Sequence, residues 1–404
     1  MLSFAYSARD MATNKVVKST VQAESEAAAG KLLMSRDLMP LEIHPDSESN
    51  NVFSNLKNRV STKDRVIFTR QLATLINAGL PLAQSLHTVQ EQTENKKLKA
   101  AVQEIISSIE GGSSLSKAFA KHDKLFDELF IALVSAGEAS GTLDKALERI
   151  ANQQEKDAEI ASKIRGALVY PAIVLFVIVA VVVFMLTTVV PQIEQLYDSL
   201  GQSLPLLTAV MVWAANILIN FWWLIIAVLA VAIYFFKRYL ETDDGTRKLD
   251  LFKLNVPLFS DLFRKLYMAR FARTGETLLK SGVPMVQMMH ITSKAIGNVV
   301  VAEEILRASE KVKSGKSLSS SIKNEEYVLS LVPQMISIGE QSGSIDAMMS
   351  KAADFYEKEI DNAIATISTA IEPVLMVVLA VVAGGMVGAI LFPIYGLVGA
   401  GAVR

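Results

Sequence analysis

The chain contains no cysteine, which excludes disulfides, zinc–thiolate sites and thiol catalysis. Its four histidines, His44, His87, His122 and His290, are scattered without metal-ligand spacing. Only His87 and His290 fall at equivalent places in the repeat described below. No serine, histidine and acid assemble into a nucleophilic set, so no enzymatic activity is expected. The stretch SGKS at 314–317 resembles the end of a phosphate-binding loop, but the first glycine of that pattern would fall at Glu310. No cofactor or metal is implied. The formal net charge is −1, so no global field draws the chain to nucleic acid. The start, MLSFAYSARD, lacks a basic segment followed by an apolar one. No cleaved signal peptide is expected, and the N-terminus is placed in the cytoplasm.

What the chain has is apolar length. Hydrophobic residues make up 51% of its 404 residues against 20% charged, and the mean hydropathy is +0.34. That fits a few membrane spans carrying sizeable soluble parts. Leu168–Val190 runs 23 residues without a charge and is the first expected span. The uncharged run from Ser199 to Phe236 is longer than one span needs, and Asn216 and Asn220 interrupt it. The second span is therefore placed at 217–236, with 191–216 as an external loop and an interfacial approach. The third is placed at 374–398. Lys163 and Arg165 precede the first span, and Lys237 and Arg238 follow the second. The loop between holds Glu194 and Asp198 but no lysine or arginine. The charge asymmetry puts that loop and the C-terminus outside, and both larger soluble parts in the cytoplasm.

Those soluble parts are copies of one another. FTRQLATLINAGLPLAQSL from Phe68 returns as FARTGETLLKSGVPMVQMM from Phe271, 203 positions on (271 − 68). GEASGTLDKAL from Gly137 returns as GEQSGSIDAMM from Gly339, 202 positions on (339 − 137). Each copy then meets an apolar run opened by a proline, Pro171 or Pro373. A bundle-plus-span unit was duplicated in parallel, unlike the inverted repeats of many transporters.

Within each copy, apolar residues recur at helical spacing. Ser61 and Asp64 predict a capping box before Phe68, Leu72, Leu75 and Ile76. Gly79 and Pro81 predict a break and a restart. The fold class expected is mainly α. Two duplicated cytoplasmic six-helix bundles, at 61–167 and 265–372, carry three transmembrane helices, and 237–264 is an amphipathic connector. Residues 1–44 read as a small α+β module, with FAYSA, VVKSTVQA and PLEIH as strands, and 45–60 as a linker.

Arg70 and Arg273 match between copies, as do Glu138 and Glu340, and Gly141 and Gly343. An Arg–Glu ion pair inside each bundle, with the glycine closing a helix, is one reading. An exposed acidic corner docking a partner or a divalent cation is the other. Ala380, Gly384 and Gly388 form a small-residue face on the third span, suited to close helix packing within or between subunits. Glu372 lies at the cytoplasmic mouth of that span, where a solvated acid and a contact with another membrane helix are both open.

The duplicated F-x-R-x-x-x-x-L-x-x-x-G-x-P, the repeated G-E-x-S-G and the prolines Pro171, Pro191, Pro373 and Pro393 together resemble the GspF/PilC family. The N-terminal module looks like that of the pilus-type members. Asn14 and Ser260 stand where the family commonly has glycine, and Gln71 becomes Thr274 in the second copy. The resemblance implies an inner-membrane platform protein of type IV pili or type II secretion. It implies contacts with a cytoplasmic assembly or retraction ATPase, with pilin or pseudopilin, and with other inner-membrane assembly proteins and lipid. A homo-oligomer is expected. The rivals are an oligomeric channel or transporter subunit and a membrane-bound enzyme.

Overall fold

A computed structural model describes residues 2–10, 16–23, 26–34, 38–45, 59–199 and 206–401. The linker stretch 46–58 and Asn14 lie outside the described residues, as do 200–205 and 402–404. The chain divides into an N-terminal unit and a large helical unit beginning at Ser61.

In the N-terminal unit, strands β1 (Leu2–Asp10), β2 (Val16–Ala23) and β3 (Leu38–Pro45) form an antiparallel sheet of order β2-β1-β3. Helix α1 (Glu26–Met34) connects β2 to β3. The register between β1 and β3 shifts at Ser7/Ala8.

The helical unit holds two copies of a six-helix plan. The first is α2 (Thr62–Asn77), α3 (Leu82–Gln92), α4 (Lys96–Glu110), α5 (Leu115–Ala120), α6 (Glu128–Ser140) and α7 (Leu143–Phe184). A wide π turn at Met185–Val189 carries α7 into α8 (Val190–Ser199). Helices α9 (Leu206–Leu240) and α10 (Asp243–Asn255) lead to the second copy. That copy is α11 (Ser260–Lys280), α12 (Met285–Ala295), α13 (Val299–Lys313), α14 (Leu318–Ile322), α15 (Leu331–Ser342) and α16 (Ile345–Gly401).

Local chemistry sets these boundaries. The Ser61 hydroxyl accepts from the Asp64 amide at 3.1 Å, and the Asp64 carboxylate accepts from the Ser61 amide at 2.9 Å. Two otherwise orphaned donors at the start of α2 are thereby satisfied. Gly79 and Gly282 sit at φ 84° and 80°, the left-handed region that favours glycine, and turn the chain from α2 into α3 and from α11 into α12. Phe68, Leu72, Val102, Leu133 and Leu147 are buried in the first bundle. Phe271, Met288, Ile305, Val332 and Met349 are buried in the second.

The last helix of each bundle leaves it as a stem. Leu143–Ser199 is 57 residues long, and α16 is also 57 residues long. Each stem reaches about 85 Å at 1.5 Å per residue, far more than the ~30 Å a bilayer core requires. Among the described residues, three helices are long and apolar enough to cross a membrane: the two stems and Thr208–Leu240.

The helices in the membrane region depart from the expected boundaries. Helix continues past Val190 to Ser199, where the sequence predicts an external loop. A proline at 191 would crowd the carbonyl of Thr187 and remove a hydrogen bond, and the π turn that includes Thr187 relieves that crowding. The stretch 206–215, read as an interfacial approach, is the start of α9, and Val212 and Ala215 pack on Val190. The two asparagines do not end the helix. The irregular backbone falls instead at Phe221 (φ −120°, ψ 20°).

Candidate functional site

Arg70 projects from α2 onto the stem α7. Its Nε donates to Glu155 Oε1 at 2.6 Å and its Nη2 to Glu155 Oε2 at 2.5 Å, a two-pronged pair. Nη1 reaches Glu148 at 2.8 Å and Nη2 reaches Asn152 at 2.5 Å. Arg273 repeats this from α11 onto α16. Its Nε donates to Glu357 at 2.8 Å and its Nη2 to Asp354 at 2.6 Å. Its Nη1 reaches Glu276 on its own helix at 2.7 Å. The second clamp is more enclosed: Arg273 and Glu357 are 19% and 18% exposed, against 29% and 42% for Arg70 and Glu155.

Charge follows the geometry. The hydrogen bond from Arg70 holds the Glu155 carboxyl below the usual carboxylate range, with a smaller opposing push from burial. The Arg70 guanidinium is raised, chiefly by Glu155. For Arg273, burial opposes the charge, but the bonds to Glu357 and Asp354 outweigh it and the group is raised.

The arginines therefore do not pair with the acids of the G-E-x-S-G motif, one of the two readings of the sequence. Glu138 sits at the end of α6 and turns instead to the start of α5. There it accepts from the Leu115 amide at 2.8 Å, the Ser116 amide at 3.2 Å and the Ser116 hydroxyl at 2.8 Å. Burial works to raise the Glu138 carboxyl, but the bonds from Ser116 and the two amides prevail and lower it. Glu340 does the same for α14, accepting from the Ser319 amide at 3.2 Å and from the Ser319 hydroxyl.

The rest of the motif is also accounted for. Gly141 and Gly343 end α6 and α15 in the left-handed region, at φ 68° and 67°. A Cβ on Gly137 would lie 2.6 Å from Ala146 Cβ, and one on Gly339 would lie 2.7 Å from Ile345 Cα. These glycines let α6 and α15 press against the first turn of the stems. Ser140 and Ser342 hydroxyls bridge to Thr142 and Ser344 at 2.7 and 2.6 Å. The motif is thus the hinge-pin of a helix-to-stem corner. Among the described residues, no group of three or more His, Asp and Glu is placed to hold a metal ion.

Sequence reasoning missed the acids that receive the arginines. The signal was available: Glu155-Lys156 and Glu357-Lys358 stand 202 apart (357 − 155), the offset of the G-E-x-S-G motifs. Also unforeseen was the tie between stems, where Lys163 Nζ meets the two carboxylate oxygens of Asp361 at 2.8 and 2.9 Å.

In the membrane region, Ala380 and Gly384 are exposed, and no atom lies within 4 Å of a Cβ built on Gly384. The small-residue face is open within the chain at that point. Gly388 is half-buried, and Glu372 is exposed on α16 beside Pro373.

These observations define a class: a membrane protein built from two parallel bundle-and-stem units that clamp to their own spans. The family described as Type II secretion system (T2SS), protein F, matches residues 68–191 and again 271–393, one match for each unit. The chain belongs to that family, whose members are platform proteins of the inner membrane. It is 39% identical to the type IV pilus assembly protein PilC of Thermus thermophilus over 401 residues, covering 98% of both chains. It is 36% identical to PilC of Pseudomonas aeruginosa, over 84% of this chain and 91% of that one. Against the type II secretion system protein F of Xanthomonas campestris it is 33% identical, over 98% of this chain and 99% of that one.

Proposed function

We propose that this chain is the inner-membrane platform of a type IV pilus, passing the action of a cytoplasmic assembly ATPase to pilin subunits entering the filament. The greater likeness to the PilC relatives than to the secretion protein supports the pilus assignment. The observation that carries the mechanism is the pair of arginine clamps. Arg70 on Glu155, and Arg273 on Glu357, tie each bundle to the helix that enters the membrane. A push on a bundle is then delivered to a span without loss in a flexible joint.

The bundles and N-terminus face the cytoplasm in this reading, and the C-terminus faces outward. The support is Lys163, Arg165, Lys237 and Arg238 at one end of the spans, with no lysine or arginine in the loop at the other end. Glu138 and Glu340 are structural corner pins, and the open face of Gly384 is a packing site for a helix of another subunit.

Deletion of the chain should abolish surface filaments while the motor ATPase keeps its turnover. Arg70→Ala with Arg273→Ala should leave the protein in the membrane and cut filament number. Filaments at normal number in the deletion would overturn the reading. Replacement of Gly384 and Gly388 by leucine should weaken assembly with both bundles still folded. Unchanged filament number and particle size would remove the packing role.

A further inference from the structure

The two bundles touch through unlike faces. Helix α6 of the first lies on the corner between α11 and α12 of the second, around a cavity of about 430 Å³ lined by Ile131, Ala132, Val283, Pro284, Gln287 and Ile291. Ile291 and Val283 are buried there, at 2% and 7% exposure. Two polar bonds flank the contact: Lys294 to Glu128 at 2.7 Å and Arg149 to the Ser281 hydroxyl at 2.7 Å.

Each bundle carries the helix corner and the helix face that make this joint, although the polar ties do not recur, since Glu128, Lys294 and Ser281 are answered by Ser330, Glu91 and Ala78. One half of each is used and one is left over. The corner of the first bundle keeps the pattern of the used one, Gly79-Leu80-Pro81-x-x-Gln84 for Gly282-Val283-Pro284-x-x-Gln287. Gly79, Pro81 and Gln84 are exposed and Leu80 is half-buried. The turn itself requires the glycine, but it does not require an exposed glutamine at the same place. On the second bundle, the face of α15 equivalent to the docking face of α6 presents Gln334, Ile338 and Gln341 to solvent. Ile338, the equivalent of Ala136 (338 − 136 = 202), is 49% exposed.

We infer that α15 of one chain docks on the α2–α3 corner of a second copy, repeating between chains the contact that α6 makes within one. A joint between unlike faces propagates from copy to copy and closes as a ring when the rotation allows. Parallel repeats on one side of a bilayer turn about the membrane normal, the axis on which a ring can close. The inference rests on the platform reading and supplies the partner for it: another copy, head to tail.

The absence of cysteine makes the test clean. Leu80→Cys and Ile338→Cys chains are prepared full-length in detergent and oxidised separately and as a mixture. A disulfide-linked dimer is expected in the mixture only, because each variant alone offers one half of the joint. A chain carrying both substitutions should give a ladder of linked species. Ala136→Cys with Val283→Cys should link within one chain and controls for reactivity. Ile338→Arg should lower the particle mass measured by light scattering with an unchanged melting temperature, since the residue is exposed. The proposal is overturned by dimers from Ile338→Cys alone with none added by mixing, which signals a like-with-like contact. It is equally overturned by no linkage in the mixture, or by a mass unaffected by Ile338→Arg. Filament counts in cells are read separately. Linkage as predicted with normal filaments in the deletion strain would sink the platform reading and leave the joint standing.

Discussion

The first bundle fills its centre with rings, the second with thioethers and carboxylates. Phe68, Phe119, Phe126 and Phe130 stack edge-on and tilted, with centroids as close as 4.6 Å between Phe119 and Phe126. Of these only Phe68 has an aromatic equivalent, Phe271, and Phe119 is answered by Ile322. At another place Leu72, Leu147 and Ser85 of the first bundle are answered by Gly275, Met349 and Met288. The volume removed at the glycine is returned by the two methionines: a Cβ on Gly275 would meet Met349 Cε at 2.2 Å. Elsewhere Ala73 and Ala101 are answered by Glu276 and Glu304, which are 8% and 3% exposed. Glu304 accepts the amides of Glu326 and Tyr327 at 3.1 Å each, pinning the loop before α15. One fold has therefore been packed in two chemistries, and α12 and α13 keep the bounds of α3 and α4, 203 positions on (285 − 82, 299 − 96), while α11 begins earlier than α2 does. What the copies hold in common is the set of corners and clamps that join bundle to stem.

The comparison can be broken most severely at the rings. Phe119→Ala should cost the first bundle about 3–5 kcal/mol, and Ile322→Ala the second about 2–4 kcal/mol. Hydrogen–deuterium exchange, which reads each bundle separately, should show the loss confined to the mutated copy. Next come the clamps. Arg273→Ala leaves Glu357 enclosed without its cation, while Glu276 keeps Lys280 at 2.7 Å, and should cost about 3 kcal/mol. Arg70→Ala, whose acids are more exposed and better screened, should cost about 1 kcal/mol. Equal losses by thermal melting in detergent would refute the difference in enclosure.

A packing exchange sharpens the point. Gly275→Leu should destabilise the second bundle by about 2 kcal/mol through overpacking. Adding Met349→Leu and Met288→Ser, the first bundle's own set, should restore most of it.

The smallest effect is a difference of sign with pH between particular carboxyls, since Glu325 of the second bundle is also lowered and Asp157 of the first stem is raised by burial. Glu138 and Glu155 of the first bundle titrate below the ordinary carboxyl value of 4.5. Their contribution is fully present above that value and is lost as pH falls through their lowered folded values. Burial pushes Glu304 of the second bundle above 4.5, against the pull of the Tyr327 amide. Its contribution is fully present below 4.5 and is lost as pH rises through the raised folded value. Glu304→Gln should flatten the second bundle's exchange profile above pH 4.5, and Glu138→Gln the first bundle's below pH 4.5. Identical profiles in the wild type and each variant would remove both assignments.

Much of the fold was legible because it is periodic and repeated. The capping serine, the turning glycines and the uncharged runs each act through their neighbours in sequence. The arginine partners lie 78 to 85 positions away in the first copy, beyond any local pattern. Only alignment of the two copies could have paired Arg70 with Glu155. The extended first stem was hidden for another reason: Pro191 reads as a helix end, and the wide turn that tolerates it carries no sequence mark of its own.

That turn has a consequence for symmetry. Both stems count 57 residues, but only the first contains a π turn among the described residues. A five-residue wide turn rotates everything beyond it by about a quarter circle relative to an ordinary helix. Duplicated positions past residue 189, Pro191 and Pro393 among them, must then look out in different directions about their helix axes. Ancestral twins become unlike at a single ring of backbone, and the ends of the spans far from the bundles carry two distinct profiles cut from one pattern.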